Sequence, residues 1–566
     1  MIEVARGLKP AALALRNARV IDVFSGGIVE TGVAVHGGRV AGLGDYQAAE
    51  TIDLEGRWLC PGFIDGHIHV ESTMLTPPWF ARAVIGRGTT AVIVDPHEIA
   101  NVLGETGVEY MLESSRGLPV TFYMMLPSCV PTSAMETAGA RLGSEALAAL
   151  IGRERVIGLA EMMDYPGVLA GDPELLAKLR VAGGRRIDGH APGITGRELA
   201  AYAGAGISSE HECVTAAEAL EKLRAGMHIH IREGSTARNL KQLAGAVDAG
   251  NSRHFSLATD DRHPGDLLAE GHIDHLARLA IAEGVPPVSA IQMATINTAS
   301  HYRLDAVGAV APGYAADLLV LDDLESVKVS RVFKAGRQVA RDGRATGSAP
   351  ATAPAGIVHA SVNIDAGSLD RLAVPLPAAA GRLRVIGIIP GQIVTEELRV
   401  EPPSAAGIVV ADTGRDILKL AVIERHHASG NLGIGFVRGL GLKEGALAST
   451  VAHDSHNIIA AGTNDDDIRA AVLELGRIGG GIAVVARGEV LASLPLPVAG
   501  LMTDRPVGEV AAAAGRASEA AAGLGCALPD PFITMSFLAL PVVPALKLTD
   551  KGLVDVEQFR IVELFA

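Results

Sequence analysis

Between residues 60 and 300, short apolar runs alternate with longer stretches in which apolar residues recur every three or four positions. This alternation predicts buried parallel strands separated by amphipathic helices. The eight predicted strands span residues 62–69, 90–98, 120–126, 156–163, 186–191, 207–212, 227–234 and 254–261. Eight strand–helix alternations are typical of an α/β protein with a TIM (β/α)8 barrel. A doubly wound sheet is the alternative, but no GxGxxG motif follows the first strand.

The segments on either side of this region have a different pattern. Residues 12–58 and 308–345 contain short strand-like runs separated by glycine-rich turns, without a long helical period. We predict that they form one small β-domain, split by the barrel, and that the mixed pattern of the last part forms an α+β domain. The predicted boundaries are 1–60 and 306–347 for the β-domain, 61–305 for the barrel, 348–356 for a linker and 357–566 for the C-terminal domain.

Composition limits the kinds of binding partner and the cellular compartment that we expect for this protein. The 566 residues include 49 Lys and Arg against 64 Asp and Glu, a formal charge of −15 that argues against nucleic-acid and anionic-membrane partners. The cysteines lie far apart, so neither a disulfide framework nor a zinc ribbon is indicated. Because no apolar run reaches the ~18 residues of a spanning helix and no signal peptide is recognisable, we expect a cytoplasmic protein.

Polar residues gather at the carboxyl ends of the predicted strands, where TIM barrels carry their active sites. His67 and His69 are two positions apart on the first strand, so both imidazoles point to one face and can bind one ion. The candidates at the ends of later strands are Glu161, His190, His211 and Asp260. Imidazole and carboxylate groups converging on one rim suit one or two divalent ions, which lower the pKa of bound water toward ~7.

Other polar residues are less specific. His228 and His230 form a second His-x-His pair, but they lie inside the seventh strand, so we interpret them as structural and assign Glu233 to the rim. Residues 95–98 end the second strand and residues 453–457 are a polar cluster in the last domain; helix capping explains both about as well as a role in the site. Further candidates for substrate binding or for support of the ligands are His97, Glu98, Asp261, His456 and Asn457.

Several motifs resemble those of the amidohydrolase superfamily. PGFIDGHIHVEST (61–73) is similar to its first-strand signature, and PGYAADLLVLD (312–322) is similar to the motif that completes the small β-domain. Within the superfamily, GLAEMMD, DGHAPG, SSEHE, IREGS and TDDRHP resemble the bacterial-type adenine deaminases, as do VAHDSHN (451–457) and PLPVAGLMTD (495–504). The resemblance extends over nearly the whole chain.

The resemblance implies hydrolysis of adenine to hypoxanthine and ammonia, a purine-salvage reaction, by a hydroxide that attacks C6 at a binuclear centre of Mn²⁺ or Fe²⁺, or alternatively Zn²⁺. The implied ligands of one ion are His67, His69 and Asp260. The implied ligands of the other are His190 and His211, with Glu161 bridging both ions. Asp260 would accept the proton of the hydroxide, and Glu233 would hold or protonate a ring nitrogen. We expect a homodimer.

Other functions remain as alternatives. Dihydroorotases and hydantoinases resemble this barrel but bridge their metals with a carboxylated lysine on the fourth strand, and residues 156–170 contain no lysine. Amino-sugar deacetylases use a glutamate there, but they would not account for the C-terminal domain. A non-catalytic scaffold of the same fold would usually lose ligands, whereas all six are present here. The zinc nucleobase deaminases are excluded because the PCxxC part of their H-x-E and PCxxC signature is absent.

Overall fold

The amino-terminal segment forms most of the strands of one β-sheet. One face of this sheet packs against a small hydrophobic core. In the computed structural model, which describes residues 1–350, 356–379 and 381–566, helix α1 (Ile2–Ala5) precedes this sheet. Strand β1 pairs antiparallel with β2 and parallel with β4 and β5. Leu13, Leu15, Ala18 and Val20 of β1 are buried in the core of this sheet, and the register of the strand shifts between Leu15 and Ala18. The strands are β1 (Ala11–Asp22), β2 (Gly27–His36), β3 (Arg39–Leu43), β4 (Ala48–Asp53) and β5 (Trp58–Pro61).

Eight short parallel strands follow, and each lies within one of the predicted strands or begins one residue before it. They pair in the order β10-β9-β8-β7-β6 in one sheet and β11-β12-β13 in another. A parallel bridge between Ile68 and Asp260 links the first strand to the end of the last. The strands are β6 (Phe63–Ile68), β7 (Thr89–Val94), β8 (Thr121–Leu126), β9 (Val156–Met162), β10 (Arg186–Gly189), β11 (Ser209–Glu210), β12 (His228–Arg232) and β13 (Phe255–Ala258).

Helices lie between these strands and after the last of them, and local sequence signals mark where a helix begins. Helix α7, for example, starts with Pro173 after an Asp172 side chain that accepts hydrogen bonds from two backbone N–H groups of its first turn. The helices are α2 (Pro77–Ile85), α3 (His97–Leu103), α4 (Glu105–Ser114), α5 (Ser144–Leu150), α6 (Tyr165–Ala170), α7 (Pro173–Val181), α8 (Gly196–Gly204), α9 (Ala216–Arg224), α10 (Leu240–Leu243), α11 (Pro264–Ala269), α12 (Ile273–Ala282), α13 (Pro287–Met293) and α14 (Ile296–His301).

The chain then returns to the first sheet. Strand β14 pairs antiparallel with β5, and β15 to β17 extend the sheet beyond it. Two segments more than 200 residues apart in the sequence therefore share one sheet. The returning strands are β14 (Leu318–Leu321), β15 (Val329–Lys334), β16 (Arg337–Arg341) and β17 (Arg344–Ala345). Of the predicted linker, residues 351–355 lie outside the described residues.

The last part of the chain is built around a sheet in the order β20-β19-β24-β23-β26-β25-β27-β28. Helix α15 (Asp465–Ile478) packs on this sheet, followed by α16 (Val507–Gly523) and α17 (Pro531–Leu538). The strands are β18 (Val374–Pro375), β19 (Leu383–Ile388), β20 (Thr395–Val400), β21 (Ser404–Ala405), β22 (Ile408–Val409), β23 (Ile417–Ile423), β24 (Leu432–Arg438), β25 (Ala446–Ser449), β26 (Ile458–Gly462), β27 (Gly481–Ala486), β28 (Glu489–Pro495), β29 (Leu546–Thr549), β30 (Gly552–Asp555) and β31 (Arg560–Val562).

This C-terminal region packs against the loops that follow the parallel strands. Helix α16 contacts α11, and the Thr132 hydroxyl donates to Asp454 at 2.5 Å. The Thr549 hydroxyl donates to the Met135 carbonyl at 2.6 Å. The carboxyl ends of the parallel strands are therefore covered by the C-terminal region. Within the described parts of the chain, no helix has the length and apolar character needed to cross a bilayer.

Candidate active site

Three side chains from the first and last parallel strands meet at the covered end. The Nε2 atoms of His67 and His69 lie 3.2 Å apart. Asp260 Oδ1 lies 3.1 Å from Nε2 of His69 and 3.6 Å from Nε2 of His67. Ligands that sit about 2.1 Å from one ion are themselves roughly 3.0–3.4 Å apart at tetrahedral or octahedral angles. The spacing of these three buried groups therefore fits a single divalent ion.

Glu161 lies between this group and a second pair of histidines. Its Oε1 is 3.3 Å from Nε2 of His69, whereas its Oε2 is 2.6 Å from Nδ1 of His190 and 3.2 Å from Nε2 of His211. Burial acts to raise the pKa of Glu161, but His190 and hydrogen bonds from the histidines hold it well below its usual range. An ionised carboxylate whose two oxygens face different sets of nitrogen donors is suited to bridge two ions.

All six predicted ligands thus lie in one connected, largely buried cluster, and only His190 is partly exposed. The donor atoms are imidazole nitrogens and carboxylate oxygens, which suit Mn²⁺, Fe²⁺ and Zn²⁺. No thiol contributes, since the four cysteines are buried elsewhere and free. The residues present fit a pair of divalent ions by number, chemistry and spacing.

Asp260, rather than Asp261, faces the histidines. Its backbone adopts a left-handed conformation with φ 57°, and its N–H donates to the His67 carbonyl at 2.9 Å. Arg232 donates to its Oδ2 at 2.8 Å and also contacts Glu212. Asp261 instead accepts a hydrogen bond from the Ser72 hydroxyl.

Arg232 and Glu212 were not predicted as part of the site. Burial acts to raise the pKa of Asp260, but the Arg232 guanidinium and the neighbouring histidines hold it well below its usual range. The sequence did carry a signal for both, because Arg232 ends the seventh strand and Glu212 directly follows His211.

The residues after the second parallel strand also reach the cluster. His97 Nδ1 lies 3.0 Å from Asp95 Oδ2 and 3.4 Å from Glu161 Oε1. The Asp95 carbonyl lies 3.0 Å from Nδ1 of His69, a contact that fixes which nitrogen of His69 faces the cluster. His97 is therefore a neighbour of the bridging carboxylate.

Glu98 connects this end of the parallel strands to the C-terminal region. One carboxyl oxygen is 2.6 Å from Nδ1 of His453, and the other contacts Nε2 of His456. The Ala452 N–H donates to Nδ1 of His456 at 3.1 Å, so Nε2 of that ring carries the proton donated to Glu98. This pairing could not be predicted from the sequence, because His453 and His456 lie 355 and 358 residues after Glu98 in the chain.

Two further candidates have their hydrogen-bond partners outside the ligand cluster. The Glu233 Oε2 accepts a hydrogen bond from the backbone N–H of Leu240 at 3.0 Å, and burial raises its pKa. Asn457 donates to the Thr137 carbonyl at 2.8 Å, at the junction with the C-terminal region.

The second His-x-His pair lies in the interior between the strands. His228 Nε2 and His230 Nδ1 both contact the Ser256 hydroxyl, at 3.0 and 2.7 Å. Burial lowers the pKa of His228 to about 3 and that of His230 well below its usual range. Both rings are held neutral in a hydrogen-bond network, which agrees with a structural role.

Comparison with known proteins places the chain among related sequences. A model of the amidohydrolase family matches residues 58–339, and a model of the adenine deaminase C-terminal domain matches residues 392–560. The chain is 51% identical over 565 residues to adenine deaminase 2 of Carboxydothermus hydrogenoformans, covering 99% of this chain and 98% of that protein. It is 48% identical over 567 residues to the adenine deaminase of Desulfatibacillum aliphaticivorans, covering 100% and 99% of the two chains. On this evidence the chain belongs to the amidohydrolase family and, within it, to the adenine deaminases.

Proposed function

We propose that this protein hydrolyses adenine to hypoxanthine and ammonia. Relatives that carry the name adenine deaminase align with the chain over its whole length. The observation that carries the proposal is the position of Glu161, with one oxygen toward His69 and the other toward His190 and His211. This arrangement replaces the carboxylated lysine of the cyclic-amide hydrolases and supports a binuclear site of the kind that the family resemblance implies.

The proposed roles follow from the contacts of each side chain. We propose two divalent ions, Mn²⁺ or Fe²⁺, with His67, His69 and Asp260 holding one, His190 and His211 holding the other, and Glu161 between them. Such ions supply a Lewis acid that makes water acidic near neutral pH. Asp260 takes a proton from the attacking water and delivers it to the amino group that leaves from C6. Arg232 holds Asp260 ionised and in position for that transfer.

The domain layout is part of the proposal. We propose that the eight parallel strands close into a (β/α)8 barrel over residues 61–305, with 1–60 and 306–347 as the split β-domain and 357–566 as the C-terminal domain. The Ile68–Asp260 bridge and the contacts between β10 and β11 support closure at the two seams.

The decisive assay measures ammonia release from adenine, adenosine, cytosine and dihydroorotate after reconstitution with Mn²⁺, Fe²⁺ or Zn²⁺. We expect turnover of adenine and not of the other three compounds. Hydrolysis of dihydroorotate without turnover of adenine would instead support a cyclic-amide hydrolase. Absence of turnover in a protein that binds metal would support a non-catalytic scaffold.

We also propose that the protein forms a homodimer. Large apolar side chains are exposed on and beside β31, the last strand of the chain, among them Phe559 and Ile561. Light scattering should give twice the mass of the 58.4 kDa chain. A monomeric mass at micromolar concentration would refute the proposal.

A further inference from the structure

A buried ion pair lies against the two loops that carry His190 and His211, the proposed ligands of the second ion. Strand β10 ends at Gly189 and strand β11 ends at Glu210, so each histidine is the first residue after its strand. Beyond a strand end, pairing with the neighbouring strand no longer fixes the backbone, and its polar groups need other partners. Other contacts must therefore hold these two loops.

Glu210 accepts hydrogen bonds from both loops and is fully buried. Its Oε2 accepts from the N–H of Ala191, the residue after His190, at 3.0 Å. Its Oε1 accepts from the N–H of His211 at 3.1 Å and from the N–H of Glu212 at 2.7 Å. One carboxylate thus ties the backbone beside His190 to the backbone of His211.

Lys222 on helix α9 supplies the opposite charge and is also fully buried. Its Nζ lies 3.3 Å from Oε2 of Glu210, and it donates to the Ala191 carbonyl and to Glu218, both at 2.8 Å. Burial acts to lower the pKa of Lys222, but the neighbouring carboxylates, chiefly Glu210, outweigh burial and hold the pKa above its usual value. The ammonium group is therefore charged at neutral pH.

Glu218 extends the same network along both loops. One of its oxygens accepts from the Gly193 N–H at 2.9 Å, and the other accepts from the Val214 N–H at 3.1 Å. Glu218 and Lys222 are four residues apart on α9, so their side chains lie on the same face of the helix. This face of α9 therefore binds both loops.

A different carboxylate holds the proposed ligands of the first ion. Asp65 Oδ1 accepts from the N–H groups of His67 and Thr259, at 3.2 and 3.1 Å. Its Oδ2 accepts from the hydroxyl of Thr259, the residue before Asp260, at 2.5 Å. The contacts around Lys222 involve other residues, so a change there can disturb the second ion and leave these contacts intact.

The second ion also has the smaller set of proposed protein ligands. We assign it His190, His211 and Glu161, whereas the first ion has Glu161 and three further side chains. His190 is partly exposed, with 29% of its side chain accessible to solvent. A site with fewer ligands, one of them partly exposed, depends more strongly on the groups that hold those ligands in place.

A contribution to folding alone is the other use of a buried ion pair, since removal of one partner leaves the other charge buried and unpaired. The positions of the bound backbone groups favour a more specific role. Each belongs to a proposed ligand or to a residue at most three positions after one. These residues are Ala191, Gly193, His211, Glu212 and Val214.

We propose that Lys222 and Glu210 are positioning residues for the second ion. They hold the backbone of the two loops so that His190 and His211 face Glu161. This inference rests on the binuclear site of the proposed function, and it adds that two separate polar networks support the two ions. Loss of either residue weakens binding of the second ion and leaves the first ion bound.

The test measures metal binding as well as turnover. Metal-free wild type, Lys222→Met and Glu210→Gln are titrated with Mn²⁺ by equilibrium dialysis. We expect two ions in the wild type. In both variants one ion should keep its affinity and the other should bind about 10–100-fold more weakly, the effect typical of residues that support metal ligands. Excess Mn²⁺ should restore the second ion and, with it, kcat, which it could not do if the fold were damaged.

A double-mutant cycle identifies the ion that is affected. His211→Ala removes a ligand of the second ion and should leave one ion bound. Adding Lys222→Met to His211→Ala should change the affinity for that remaining ion by less than about two-fold, because independent sites do not couple. If Lys222→Met weakens the remaining ion by the same factor as it weakens binding in the otherwise wild-type chain, the proposal is overturned.

The matched control is Lys419→Met. Lys419 on β23 is also a buried lysine that donates to one carbonyl, that of Leu372, and to one carboxylate, that of Asp465. Its loss should lower the melting temperature and leave both dissociation constants for Mn²⁺ unchanged. If Lys419→Met weakens the second ion as much as Lys222→Met does, the proposal is overturned. If Lys222→Met does not fold, Glu210→Gln decides: two ions bound with wild-type affinities overturn the proposal.

Measurements on the wild type separate this inference from the proposed function. A wild type that binds two ions but releases no ammonia from adenine refutes the function, and the titrations still decide the role of Lys222. A wild type that releases ammonia, together with unchanged binding of both ions in Lys222→Met and Glu210→Gln, refutes the positioning role alone. Fewer than two ions in the wild type would refute the binuclear site and this inference with it.

Discussion

Asp260 has an unfavourable backbone conformation, and hydrogen bonds hold both its backbone and its carboxylate. A left-handed conformation at a residue other than glycine costs about 1–3 kcal/mol and persists only where the surroundings enforce it. Here the N–H of Asp260 bonds to His67, its carbonyl accepts from His69, and Arg232 binds its carboxylate. These hydrogen bonds hold the left-handed backbone and keep the carboxylate directed at the first-strand histidines.

We expect Asp260→Asn to lower kcat by about 10²–10⁴-fold, because an amide cannot accept the proton that the carboxylate takes. The substitution also removes the charge partner of the buried Arg232 and a proposed metal ligand, so the melting temperature should fall as well. Steady-state kinetics and calorimetric melting of the metal-loaded protein measure the two effects. Activity within a factor of two of the wild type would show that another group accepts the proton.

The substitution Glu161→Gln tests the proposal that Glu161 bridges two ions. One amide oxygen cannot serve two ions as an ionised carboxylate does, so we expect the bound metal to fall from about two ions toward one per chain and activity to fall with it. Metal analysis after dialysis gives the stoichiometry. Two retained ions together with full activity would contradict the bridging role.

Single site residues could be predicted from the sequence where they lie at the end of a predicted strand. Each of the six ligand candidates follows or ends a short apolar run, so the barrel rule alone brought them to one rim. Glu98 and His453 were considered separately, but their contact was not predictable, because it depends on how two distant regions dock.

At the scale of elements, the strands are shorter than the hydrophobic pattern suggests wherever site residues follow. The prediction 254–261 ends in β13 at Ala258, and the prediction 90–98 ends in β7 at Val94. In the first, the left-handed Asp260 ends the extended conformation, and in the second, His97 begins helix α3. Polar residues that serve the site leave the strand geometry, and period-two patterning does not detect that change.

The contact between Glu98 on α3 and His453 should make stability depend on pH. The folded-state pKa of His453 is about 9 and exceeds the ordinary value of 6.5, so the folded state binds this proton more tightly. The contribution is complete below pH 6.5 and is lost as pH rises through about 9. The shift corresponds to at most about 3 kcal/mol.

A comparison of Glu98→Gln with the wild type isolates this contribution. The difference between their melting temperatures should be largest near pH 6 and should shrink by pH 10. A difference that stays constant across this range would mean that the pair contributes no proton-linked stability.

At the scale of the whole molecule, the proposed metal site lies where the first and last parallel strands and the C-terminal region come together. Ions bound there should stabilise the native protein over the unfolded chain, by about 3–4 kcal/mol at 100 to 1,000 times the dissociation constant. We therefore expect a chelator to lower the melting temperature and Mn²⁺ to restore it. Equal melting curves of the chelated and reloaded protein, with metal content measured in both, would refute this expectation.

The order of the segments along the chain could be predicted, because the spacing of apolar residues changes where each sheet begins and ends. The docking of residues 453–457 over the strand ends was considered as one of two interpretations, and the sequence offered no way to choose. Surface complementarity between regions leaves no periodic signal in either one.

The shared sheet has a consequence during synthesis. Strand β5 ends at Pro61, and its partner β14 begins only at Leu318. At about 5–20 residues per second, the ribosome takes roughly 13–50 s to make the intervening chain. Throughout that interval β5 presents an unpaired edge, the kind of surface that invites association with other nascent chains. The eight parallel strands emerge in the meantime, so this edge of β5 stays unpaired until more than half of the polypeptide has been translated.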